Sequence, residues 1–119
     1  MLVADSYEAA RRPCVRFLDR FNFDVREAKN GEEALAQLTA EQPRVLLLEW
    51  TPAMTSGVRL RDWFQRGNPA SALRVIAVAG SLAPDEELPA ADALLIKPFS
   101  LDAMLGEIRR LLRDMEPAI

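Results

Sequence analysis

Two carboxyl groups, a hydroxyl and an ammonium stand at corresponding places in this sequence, each just past a short apolar run. Asp5 and Ser6 follow Met1 to Ala4, Glu49 follows Val45 to Leu48, and Lys97 follows Leu94 to Ile96. The run Val75 to Val78 ends instead on Ala79 and Gly80, which bring no polar side chain. Gathered in one crevice, such groups could hold a hard cation, stabilise an anion, or neutralise one another. Other chemistry is excluded. The chain has no histidine, so it has no imidazole base, histidine-ligated metal or phosphohistidine of its own. Its one cysteine, Cys14, cannot form an internal disulfide or a cysteine-cluster metal site.

The elements that must position these groups are legible as alternating strands and helices. The four runs are uniformly apolar rather than alternating, which is what a parallel strand buried on both faces requires. Phe23-Asp24-Val25 is expected to form a fifth, edge-like strand. Gly31 to Leu38 reads as a helix with Asn30 as N-cap and an acidic pair, Glu32 and Glu33, in the first turn. Leu101, Met104, Leu105, Ile108, Leu111, Leu112 and Met115 recur at steps of three and four, with Ser100 placed to cap and Arg109, Arg110 and Arg113 near the end. Leu60 and Phe64 mark another helix after Gly57, stopped by Gly67-Asn68-Pro69.

Two places oppose the pattern. Pro13 falls inside the helical spacing of Cys14, Phe17, Leu18 and Phe21, and an interior proline costs about 3 kcal/mol. The expectation is a helix starting near Arg12, with Pro13 in its first turn, or a kink there. Pro84 and Pro89 leave room for at most one helical turn between Ser81 and Ala90, so the fourth helix should be short.

The whole is expected to be an α/β three-layer sandwich around a five-stranded parallel sheet, one domain over residues 1–119. With 119 residues, half of them hydrophobic, the chain can bury an ordinary core without staples. Fifteen basic against 18 acidic side chains give a net charge of −3, which argues against direct nucleic-acid binding. No apolar run approaches the roughly 18 residues that span a bilayer, and no basic-then-apolar leader opens the chain. A cytoplasmic protein without membrane contact is expected.

In an open parallel sheet the crevice at the carboxyl ends of the strands is where chemistry collects. There the sequence resembles the receiver domain of two-component response regulators, similar to the chemotaxis response regulator. The resemblance spans essentially the whole chain. Its most specific pieces are Leu47-Leu48-Glu49, Gly57-Val58-Arg59-Leu60 and Ile96-Lys97-Pro98-Phe99, with Asn30-Gly31-Glu32-Glu33-Ala34-Leu35 in the second helix. It implies a flavodoxin-like sheet of order 2-1-3-4-5. It also implies a site in which a histidine kinase phosphorylates an aspartate after strand three. Two acids after strand one then help hold Mg²⁺, a Thr or Ser after strand four bonds the phosphoryl group, and a lysine after strand five pairs with it.

Carried over position by position, the first acid is Asp5 and the lysine is Lys97. The second acid has become Ser6, the phosphoacceptor position is Glu49, and the hydroxyl position is Ala79. The switch aromatic falls at Leu94. Serine in place of a carboxylate removes a full charge from the metal's surroundings. Mg²⁺ binding should therefore be weak or absent, through Asp5, Glu49 and the Thr51 carbonyl if at all. Glutamate is one methylene longer than aspartate, and an ångström-scale misplacement of a reacting group can cost about 10²-fold. Ala79 has no donor for a phosphoryl oxygen. Glu49 then has two readings: its carboxylate stands in for a phosphorylated side chain by reaching Lys97, or it merely pairs with Lys97 in a disused pocket. Asp5 is expected to be a structural partner of Lys97. The Lys97–Pro98 bond is cis in the family.

Several other residues have plain structural readings. Trp63 should cover a helix edge or mark a partner surface, Trp50 should lie across the crevice mouth, and Cys14 should fill the core. Arg11, Arg12 and Arg16 should form a solvated helix face. A flavin-type cofactor is disfavoured because the loop after Ala4 lacks the small donors that cradle a phosphate. The function expected is that of an atypical receiver, not an enzyme, independent of phosphorylation. It would act by contact with a signalling partner or its own output domain, with possible homodimerisation through the last strand and helix. The alternative is a conventional receiver phosphorylated on Glu49 and driving an output domain outside this sequence.

Overall fold

The computed structural model describes residues 1–51, 54, 73–80 and 91–114. They form five strands, β1 (Leu2–Ala4), β2 (Arg26–Ala28), β3 (Val45–Glu49), β4 (Arg74–Ala79) and β5 (Ala93–Ile96). Three helices are described with them, α1 (Glu8–Arg20), α2 (Gly31–Glu41) and α3 (Leu101–Asp114). Every strand pairing is parallel, as the apolar runs suggested, and the sheet order is β2-β1-β3-β4-β5, as the resemblance implied. The expected helix after Gly57, Trp63 within it, and the shortened fourth helix lie outside the described residues.

Strand alternation divides the core into two layers. Leu2, Ala4, Leu46 and Leu48 face α2 and pack with Ala34 and Leu38. Val3, Val45, Leu47, Ile76 and Val78 face α1 and α3, where Cys14, Leu18, Met104, Leu105, Ile108 and Leu111 meet them. Leu18, Leu46, Leu48, Ile76 and Ile108 are fully buried. Each contributes roughly 1.5–3 kcal/mol through the apolar area removed from water. Cys14 is core filler, as expected.

Capping follows local chemistry. The Asn30 side chain accepts from the Glu33 N–H at 2.9 Å, and Glu33 in turn accepts from the Lys29 N–H at 3.0 Å. Ser100 Oγ accepts from the Ala103 N–H at 3.0 Å at the start of α3. Near the end of α3, Arg110 pairs with Glu107 and Asp114, and the Arg109 guanidinium lies 5.3 Å over the Phe21 ring.

Two element boundaries differ from expectation. α1 begins at Glu8, not near Arg12, and runs on through Pro13. The Tyr7 N–H donates to Asp5 Oδ1 at 2.8 Å and so starts the helix a full turn before the proline. Burial of Cys14 and Leu18 beyond it outweighs the lost backbone bond. The second strand is Arg26–Ala28 and not Phe23-Asp24-Val25. Phe23 and Val25 pack instead against the α1/α3 layer, and the edge strand that follows carries polar Arg26 and Glu27. An apolar search misses such a strand because its side chains reach solvent.

α2 ends on Gln42, whose φ of 46° and ψ of 60° lie in the left-handed region where a Cβ is unfavourable. Pro43 then prevents further helix. Gln42→Gly is therefore expected to raise stability by about 0.5–1 kcal/mol, and Gln42→Ala to leave it unchanged. Urea midpoints of the two variants check this, and equal midpoints would contradict it.

Candidate functional site

The ladder hydrogen bonds carry on past the strand ends and fix where the polar groups emerge. The Asp5 N–H donates to the Ala28 carbonyl at 3.0 Å, Trp50 N–H to Val78 at 2.8 Å, and Lys97 N–H to Ala79 at 2.9 Å. Asp5, Glu49 and Lys97 are thereby brought to one crevice at the carboxyl edge of the sheet, where all three line the same cavity. Asp5 and Glu49 are the two charged residues buried among the described residues, at 8% and 7% exposure.

A buried carboxylate must find donors. Glu49 finds them at Ser6 and Thr51. Its Oε2 accepts from the Ser6 N–H at 2.6 Å and from Ser6 Oγ at 2.9 Å, and its Oε1 accepts from Thr51 Oγ1 at 3.0 Å. The extra methylene of glutamate carries the carboxylate from the end of β3 to Ser6, the second residue after β1. Lys97 takes no part in this. Its Nζ lies 3.3 Å from Asp5 Oδ2, and no ion pair joins it to Glu49. Both readings that paired Glu49 with Lys97 are corrected here: the hydroxyls and the N–H beside Glu49 give shorter bonds than a lysine that Asp5 already holds. The expected pairing of Asp5 with Lys97 is found, and the Lys97–Pro98 peptide is cis.

The two carboxyl groups are pushed in opposite directions. Burial raises the pKa of Asp5 above the ordinary aspartate range, and the Glu49 carboxylate adds to this. The Tyr7 N–H and Lys97 oppose it. Burial also works against ionisation of Glu49. It is overcome by the Ser6 N–H, the Asp5 carboxyl and the Ser6 and Thr51 hydroxyls, so Glu49 stays ionised below the ordinary glutamate range. Where one proton is available to the pair, Asp5 holds it.

The remaining site positions differ in what they offer. Ala79 is buried at 2% exposure and carries only a methyl group at the position where the resemblance implies a hydroxyl. Leu94 is 40% exposed on β5, on the opposite face from buried Leu95. Trp50 does not cover the crevice mouth. It is buried in the α2-side layer, because strand alternation turns it away from Glu49. Arg11 is also not part of a solvated face. Its side chain is 12% exposed, its Nε donates to Glu27 Oε1 at 2.9 Å, and an Nη donates to the Asp5 carbonyl at 2.8 Å. Arg12 joins Glu27 at 2.8 Å. Arg11 and the Thr51 hydroxyl are thus parts of the site that sequence reasoning missed. Their sequence signal was slight: a hydroxyl two residues past Glu49, and an arginine one helical turn past Tyr7.

As a cation site the donor set is poor. Ser6 supplies a neutral oxygen, and Asp5 Oδ1 and both Glu49 oxygens already accept protein hydrogen bonds. Among the described residues no three acidic or cysteine side chains converge as metal ligands.

The opposed shifts have opposite signs in stability. Asp5 holds its proton more tightly folded than unfolded, so its contribution is full below the ordinary aspartate range and is lost as pH rises through its raised value. Glu49 contributes above the ordinary glutamate range and loses its share as pH falls through its lowered value. Asp5→Asn keeps an acceptor for Tyr7 and removes the first effect. Its stability should therefore gain on the parent chain as pH rises from the ordinary aspartate range through the raised pKa of Asp5, and level off above it. Urea unfolding across that range checks it, and a gap that shrinks as pH rises would contradict it.

Comparison with known proteins adds a second line. No protein-family profile matches the chain. The response regulator MprA of Mycobacterium avium is 27% identical over 121 aligned positions, covering 98% of this chain and 52% of that protein. The phosphate regulon transcriptional regulatory protein PhoB of Pseudomonas aeruginosa is 24% identical over 98% of this chain and 53% of its own length. The chain therefore spans about half the length of these relatives. Among solved structures, the receiver domain of the Francisella response regulator 1452 superposes with a TM-score of 0.80 at 21% identity, covering 97% of both chains. Sheet order, strand-end carboxylates and similarity along nearly the whole chain agree: this chain has the fold of response-regulator receiver domains and is similar to them in sequence.

Proposed function

We propose that this receiver domain works without taking up a phosphoryl group, by contact with a signalling partner or with an output domain. The observation that carries the reading is the hold of Ser6 and Thr51 on Glu49. Both oxygens of the carboxylate at the acceptor position are engaged with protein donors, and Lys97 is engaged with Asp5. An attacking oxygen must be free and in line with the phosphorus, and phosphoryl transfer depends almost wholly on that positioning. Ala79 supplies no hydroxyl to read the product. Mg²⁺, the ion that the fold family uses, would have to displace the Ser6 and Tyr7 N–H groups from Glu49 and Asp5 with one carboxylate fewer to bind it.

The exposed edge strand β5, with Leu94, and helix α3 beside it are the surface proposed for the partner or for a second copy of the chain. The relatives matched are about twice as long, and two of them are named as regulators of transcription or response. An output domain of that kind, in the same or another chain, fits a module that has no chemistry of its own.

Acetyl phosphate or beryllofluoride with Mg²⁺, followed by intact mass and NMR, tests the proposal. The parent chain should give no adduct and no saturable Mg²⁺-dependent shift. The combined variant Ser6→Asp, Glu49→Asp, Ala79→Thr should regain both. A stoichiometric adduct on the parent chain, abolished by Glu49→Ala, would establish conventional phosphorylation instead.

A further inference from the structure

A cleft of about 530 Å³ opens between the first turns of α1 and the connection from Lys97 to Leu101. Its volume lies within the range of pockets that hold small organic molecules. Val3, Leu47 and Val78 form a buried apolar floor, Ala9 and Ala10 line the α1 side, and Phe99 stands opposite. The small side chains on α1 leave space that larger aliphatic ones would fill. Such a cleft is too small for a partner helix, which is about 10–12 Å across with its side chains. It is the right size for one ring system.

The polar end of the cleft restricts what can enter. Glu49 is turned toward Ser6 and Thr51, with donors on both oxygens. Asp5 Oδ1 is taken by the Tyr7 N–H, Asp5 Oδ2 meets Lys97 at 3.3 Å, and the Asp5 carboxyl also bonds Glu49. The Lys97 ammonium has three N–H donors, and Asp5 is its one ion-pair partner among the described residues. A carboxylate on a ligand would sit beside two others. An ammonium would have to displace Lys97. A hydroxyl can accept from a spare Lys97 N–H without moving either carboxyl.

We infer that this cleft binds a small, uncharged, largely apolar ring compound bearing one hydroxyl, with the ring against Phe99 and the hydroxyl accepting from Lys97. The inference uses Lys97 and stands whether or not Glu49 accepts phosphate. Amide NMR of the full chain at pH 7 with p-cresol, toluene, p-toluate and 4-methylbenzylamine tests it. Saturable shifts with p-cresol are expected at Ala9, Ala10, Lys97 and Phe99. Affinity should be roughly five-fold above that for toluene, the worth of one net hydrogen bond, and the two charged compounds should bind more weakly than p-cresol. Ala9→Leu places a good helix former at an exposed position and should close the cleft to p-cresol. Lys97→Met should reduce p-cresol to the affinity of toluene, which tests the hydroxyl contact separately from the cleft. Shifts absent or scattered over the surface, a charged compound binding as well as p-cresol, or a Lys97→Met chain that keeps the preference would each overturn the inference.

Discussion

A carboxylate only 7% exposed cannot be left without donors, and the way Glu49 meets that demand sets the rest of the site. Its side chain spans from the end of β3 to Ser6, where one oxygen takes both the backbone N–H and the hydroxyl. Thr51 secures the other oxygen from the same loop. Two substitutions that look like separate losses at the level of sequence, Ser6 for an acid and Glu49 for an aspartate, are one local structure. An acid at position 6 would repel Glu49, and an aspartate at position 49 would be a methylene shorter in its reach. With Glu49 occupied, Lys97 is left to Asp5, and Asp5 is pushed toward its protonated form.

The fold holds these groups close together through backbone rather than side-chain preference. β1 is three residues long and β5 four, yet each continues into a ladder bond that places the next residue, Asp5 or Lys97, at the crevice. Arg11 adds a tie from α1 to the Asp5 carbonyl and to Glu27 on β2. The start of α1 is thus bound to the edge of the sheet by a largely desolvated guanidinium, a stronger contact than an exposed ion pair. The same arrangement leaves Ala9 and Ala10 facing the apolar floor beyond Asp5, so a polar end and an apolar cleft share one wall.

The inner strands and the starts of α2 and α3 were legible because they depend on local signals, and the sheet order was implied by the family resemblance. β3 and β4 are continuous apolar runs, and Asn30 and Ser100 cap through their own side chains. The second strand was misplaced because Phe23 and Val25 serve the helical layer, while the strand itself is half polar. The start of α1 was misplaced because the proline rule is local and the burial of Leu18 is not. At the site, residue identities and the Asp5–Lys97 pair were legible, but the partner of Glu49 was not. Opposite charge pointed to Lys97, 48 positions away, whereas an N–H and two hydroxyls lay nearer. Charge can be read from a sequence, but the direction of a backbone N–H cannot.

The central claim, that Glu49 is held ionised by Ser6 and Thr51 while Asp5 carries the raised pKa, is open to direct measurement. Carbon-detected NMR of the side-chain carboxyls, followed through an acid titration of the unmodified chain, reports the two groups separately. The account predicts that Glu49 titrates below the ordinary glutamate range and Asp5 above the ordinary aspartate range. Glu49 titrating at or above its ordinary range, with Asp5 below its own, would contradict it.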